Sequence, residues 1–131
     1  MEAVMAGWSE LMSGGTEHFL KGELADAVVV FRDALAEAEQ LFAETDERRL
    51  LSLTMLATVL ALTGEHAAAE SIYRHQLAIR EAAAMAEDAG LAEALEGLAR
   101  CLRERGEAPE AEGVEARARA VRLALAGGGD G

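Results

Sequence analysis

A chain of 131 residues is sized for one domain, and 51% apolar residues with a single proline and few aromatic side chains favour helix over sheet. A net charge of −12 argues against nucleic acid and against an anionic membrane surface as partners, because both need clustered Lys and Arg. The one cysteine, Cys101, excludes an intramolecular disulfide framework, and no run of about 18 apolar residues is present to span a membrane.

In chain order, apolar periodicity predicts helices over about 3–21, 24–44, 47–63, 67–88, 91–105 and 109–126. The first begins "MEAVMAGWSELM", which has neither a basic leader region nor a long apolar run, so it does not read as a signal peptide. The cytoplasm is therefore the expected location. Eleven arginines to one lysine, with abundant alanine, suggest a bacterial, GC-rich source. Gly14 and Gly15 form the weak point of this first helix, where a fray, kink or break would fall, because Gly in a helix interior costs about 1 kcal/mol relative to Ala.

The helices come in pairs. Gly-Glu recurs at 22–23, 64–65 and 106–107, each copy 42 residues from the next. Before the turn, Leu53, Leu56, Ala57 and Leu60 align with Leu95, Leu98, Ala99 and Leu102. After it, Ala27 aligns with Ala69 and Ala111, and Val30 with Ile72 and Val114. Each unit therefore reads as a helix, a tight turn at Gly and a second helix. The small residue after each turn marks the point where the two helices cross closely. Pro109 falls in the first turn of its helix, where a missing N–H costs nothing.

These motifs resemble the tetratricopeptide repeat family. The second unit supplies Leu53, Leu56-Ala57, Gly64, Ala69, Tyr73 and Leu77. The first supplies Leu11, Gly15, Gly22, Ala27, Phe31 and Ala34-Leu35. The third supplies Leu95, Leu98-Ala99, Gly106, Ala111 and Ala118, with Glu115 in place of the aromatic. A 42-residue period exceeds the usual family period of about 34 and resembles the longer kinesin-light-chain-like variant. The resemblance implies an all-α fold, a right-handed superhelical α-solenoid of three repeats at about 8–49, 50–91 and 92–126. One domain would cover 1–126, followed by a disordered Gly-rich tail, 127–131. The last helix carries Ala111, Val114, Ala118, Val121 and Leu125 on one face, as a capping helix should.

No residue constellation supports catalysis, and no cofactor or metal is expected. His66 and His75 lie nine positions apart, unlike the i, i+4 pairs that metals take on helices. Cys101 sits between core leucines, where a thiol behaves as a small hydrophobe. The family resemblance implies instead a non-enzymatic adaptor that holds a peptide or helix of another protein in a concave groove lined by the first helix of each repeat. The positions are Ser9, Met12, Thr16 and Phe19; then Leu51, Thr54, Met55 and Thr58; then Arg100 and Arg103. The family's Lys/Asn carboxylate clamp is absent, since Thr16, Leu20, Thr58, Leu62, Arg100 and Glu104 occupy its positions. The bland reading of Arg100 and Arg103 is pairing with Glu96, Glu104 or Glu107. The alternative function is a homo-oligomeric scaffold that self-associates through the same apolar surface.

Overall fold

The computed structural model describes residues 2–128, with side chains from 7 to 127. It is all-α: α1 (Glu2–Leu20), α2 (Leu24–Leu41), α3 (Glu47–Leu62), α4 (His66–Ala82), α5 (Ala89–Glu104) and α6 (Ala108–Gly128). They divide into two compact units, 1–65 and 66–131. α6 runs through Gly127 and Gly128, and the rest of the expected tail, 129–131, lies outside the described residues.

The three Gly turns share one mechanism. Gly22, Gly64 and Gly106 have φ of 77°, 88° and 78°. Around each, two hydrogen bonds close the helix end. At the first turn, Glu23 N–H donates to His18 O at 2.9 Å and Gly22 N–H to Phe19 O at 3.0 Å, and both bonds recur at the other two. This is the Schellman closure, which satisfies carbonyls that the helix leaves open. A fourth copy sits where the sequence signals no stop. Met85 N–H donates to Arg80 O at 2.9 Å and Ala84 N–H to Glu81 O at 3.0 Å, with Ala84 at φ 49°. α4 therefore ends at Ala82 instead of 88.

The turns between repeats rest on aspartate. The Asp46 carboxylate accepts from Arg48 N–H at 2.9 Å, and that of Asp88 accepts from Leu91 N–H at 2.9 Å. Both are N-caps, one period apart, and Asp88 starts α5 at Ala89 instead of 91. α2 stops at Leu41, three residues early, because Phe42 turns extended, at φ −122° and ψ 148°.

In the first unit, α1 packs on α2, and α2 on α3. α1 is continuous through Gly14-Gly15. A Cβ on Gly15 would fall 2.6 Å from the Phe31 ring, so Gly15 is the residue that admits the aromatic. Gly14 has only Val30 Cγ1 near, at 3.8 Å. Ala27, Phe31, Ala34, Leu53, Leu56, Ala57 and Leu60 fill the core.

In the second unit, α5 lies between α4 and α6. Leu91, Ala92, Leu95, Ala118 and Val121 form a cluster against Leu77 and Val114. Ala69 and Ala111 are fully buried, as is Ala27 in the first unit, as the crossing-point reading requires. Of the expected capping face, Ala111, Ala118 and Val121 are buried, Val114 is half-buried and Leu125 is exposed. A buried polar chain ties α4 to the start of α5. Arg80 Nε donates to Gln76 Oε1 at 3.1 Å, and Arg80 Nη1 donates to Asp88 Oδ1 at 3.0 Å.

Candidate protein-binding surface

The first unit brings α1 and α3 together through a polar contact. Trp8 Nε1 donates to Ser52 Oγ at 2.9 Å, and the Ser52 hydroxyl donates to the Arg48 carbonyl at 2.8 Å. Met12 Sδ lies 3.8 Å from the same hydroxyl. The Trp8 ring stands edge-on to Phe42, with centroids 5.4 Å apart, and the Arg48 guanidinium covers Phe42 at 3.9 Å. Asp46 holds that guanidinium through two further hydrogen bonds, at 3.0 and 2.8 Å. The Arg48 hydrogen bond in turn keeps the Asp46 carboxyl below the usual carboxylate range.

On α1, Ser9 is exposed, and Met12, Thr16 and Phe19 are half-buried. On α3, Leu51 is exposed, and Thr54, Met55 and Thr58 are half-buried. Each set keeps helical spacing. Thr16, Thr54 and Thr58 donate their hydroxyl protons to the carbonyls of Met12, Leu50 and Thr54 in their own helices. These threonines therefore contribute no donor to a ligand. Leu20 and Leu62, which stand at two of the clamp positions, are exposed, at 77% and 56%. They are one period apart, each the last residue of its helix before a Gly turn. That recurrence was the signal for them in the sequence.

In the second unit the two arginines differ. Arg103 makes a two-pronged contact with Glu115 of α6, at 2.6 Å for both bonds. Its partner is thus across the helix pair and not along its own helix. Arg100 is exposed and forms no ion pair among the described residues. Three more links run between helices of this unit: Arg74–Glu110, Arg105–Glu70 and Arg122–Glu96.

Nothing among the described residues assembles into a reactive centre. Cys101 is fully buried, and burial pushes its thiol pKa up, which disfavours the nucleophilic thiolate. His18, Glu23 and Asp26 bring ligand-type atoms within 4.8 Å of one another at the first Gly turn, on an accessible surface. Their spacing, five and three positions apart, carries no helical signal that groups them in the sequence. Among the described residues, no helix is long and apolar enough to cross a membrane.

Paired helices closed by glycine, repeated at fixed period with small residues at each crossing, define a helical-repeat interaction scaffold. A profile described as tetratricopeptide repeat matches residues 48–124, and the chain belongs to that family. Repeats of this family are characteristically non-catalytic scaffolds for protein–protein interaction. Among solved structures, the chain is similar to the TPR domain of Arabidopsis FLU, at TM-score 0.81 and 24% identity, over 93% of this chain and 98% of that one. It is also similar to two structures of a Podosopora anserina putative kinesin light chain with nearly identical TPR-like repeats. Those align at TM-scores of 0.80 and 0.79 and 19% identity, over 90% of this chain and 56% of theirs. At these identities the likeness is one of fold. No curated protein sequence matches the chain.

Proposed function

We propose that the chain is a cytoplasmic adaptor that holds an apolar, basic helix or peptide of a partner protein against the α1–α3 surface of its first unit. The observation that carries this is the apolar run on two adjoining helices: Leu20, Leu51 and Leu62 exposed, with Met12, Phe19 and Met55 half-buried. Exposed apolar stripes usually mark interaction sites, and methionine adapts to varied partners. Charge narrows the partner. Residues 1–65 hold twelve acidic and four basic side chains. Lys21 is engaged by Glu17, Arg48 by Asp46, and Arg49 by the Phe42 carbonyl. A surface so unbalanced favours a cationic ligand.

Trp8, the only tryptophan, sits at the α1–α3 contact and reports occupancy. The test is a fluorescence titration with a designed amphipathic peptide of Leu and Lys, and with its Leu/Glu counterpart. The Leu/Lys peptide is expected to shift Trp8 emission saturably, and Met55→Arg to weaken it about tenfold with helix content unchanged by circular dichroism. Binding that ignores Met55→Arg would overturn the site, and preference for the Leu/Glu peptide would overturn the partner class.

A further inference from the structure

α5 rests on α4 along one stripe. A Cβ on Gly97 would run into the Tyr73 ring at Cζ, and one on Gly90 would fall 2.5 Å from Arg80 Nη2. Arg105, further along the same stripe, pairs with Glu70. Ala94 and Cys101, between them at helical spacing, are fully buried. The two helices run antiparallel, so the end of α5 meets the start of α4.

The α4 side of this seat is Glu70, Tyr73, Gln76, Leu77 and Arg80. One period later, α6 carries Glu112, Glu115, Ala118, Arg119 and Arg122. The last four of these, with Glu96 and Leu123, line an open cavity of about 590 Å³. The cavity is thus the same helix seat repeated on α6, with charge where α4 has Tyr and Leu.

We infer that this seat takes α1 of a second copy, head to tail. α1 opens the first repeat as α5 opens the third. Two periods before the α5 stripe it presents Glu10, Ser13, Glu17 and Lys21, all exposed. Laid antiparallel on α6, Glu10 comes opposite Arg119, next to Arg122, which Glu96 already engages, and Lys21, itself engaged by Glu17, comes near Glu112. Ser13 crosses at Glu115, the position that matches Gly97 passing Tyr73 in the α5–α4 contact. Glu17 is already neutralised by Lys21 at 3.0 Å. Glu10 and Arg119 form no ion pair among the described residues, so both are open to the contact. The seat is mostly polar, and one helix buries less than the standard interface of about 1,600 Å². The contact is therefore weak and sensitive to salt. Being heterologous, it adds copies beyond a dimer as concentration rises. It uses neither Met55 nor the rest of the α1–α3 surface, so it stands or falls apart from the adaptor reading.

Sedimentation of the full chain from micromolar to millimolar, at low and high salt, tests it. The mean mass is expected to climb with concentration at low salt and fall back when salt is added. Arg119→Glu and Glu10→Arg are each expected to weaken association at least about tenfold, with helix content unchanged. A one-to-one mixture of the two variants is expected to recover it, because each then finds a complementary surface. A monomer throughout the low-salt series overturns the inference and leaves α6 as a solvated cap. Association that neither variant weakens, or that the mixture fails to restore, overturns it too.

Discussion

Adjacent glycines in α1 have opposite roles. Gly14 meets only Val30 at ordinary contact distance, so Gly14→Ala removes a helix penalty without a clash. It is expected to stabilise by about 1 kcal/mol in chemical denaturation. Gly15→Ala forces a Cβ to 2.6 Å from Phe31 and is expected to destabilise by about 1–3 kcal/mol. Ala84 is the converse case. It holds a left-handed turn that the other three helix ends of this kind leave to glycine. Ala84→Gly relieves that strain, and a rise of about 0.5–1 kcal/mol is expected, net of the greater freedom glycine gains when unfolded. In the sequence Gly15 stands at a family motif position and Gly14 departs from it, but neither shows what it faces, and Ala84 carries no mark. Each position is decided by what lies opposite or by φ, and neither is local to a residue type.

At the scale of the helix, the two aspartate caps have unequal weight. Asp46→Ala loses a cap on a partly exposed turn together with an exposed ion pair to Arg48, a cost of about 1–2 kcal/mol. Asp88→Ala loses the equivalent cap and also removes the charge facing Arg80, which is only 8% exposed. A larger loss is expected, about 2–4 kcal/mol, since a buried charge is left without its partner. Asp88→Asn, which keeps the cap but not the charge, should fall between, as measured by thermal melts of the three variants. Helix existence was legible throughout, because apolar period and Gly turns repeat three times. The ends of α2 and α4 were not. A Schellman closure on alanine and an extended Phe42 leave no mark in composition.

Across the molecule, the carboxylates in ion pairs set an acid limit. The hydrogen bond from Arg122 lowers Glu96, and that from Arg103 lowers Glu115. Burial pushes Glu70 up, but Arg74 and Arg105 together outweigh it and the net shift is downward. Each therefore has a lower pKa folded than unfolded. Their stabilisation is complete above the ordinary carboxylate range, near pH 4, and is lost as pH falls through the lowered values. All three belong to the second unit, where Glu96 and Glu115 tie α5 to α6. In the first unit the lowered carboxylates, Asp46 and Glu17, pair with residues of their own helix or cap. On acid titration, helix loss by circular dichroism is expected to begin before the Trp8 emission changes, because Trp8 reports only the first unit. Coincident transitions would mean that the helix-bridging pairs do not set the acid limit.

The sequence by itself determined the class of fold. Helical period, a Gly turn every 42 residues and alanine at each crossing are local or strictly repeated, so each copy reinforces the reading of the others. The family resemblance it carries pointed to the candidate surface, including Met12, Phe19, Leu51 and Met55. Tertiary structure alone decided which charges are spent and which remain. Arg103 is held by Glu115 from another helix, and Arg100 is not held by any ion pair among the described residues, although both sit on one helix one turn apart. It also left an open cavity where the α4 seat recurs on α6, lined by Glu96 of α5 as well as by α6. Both depend on side chains far apart in the chain meeting at a few ångströms, and the repeat period gives the positions of those residues but not the distances between them.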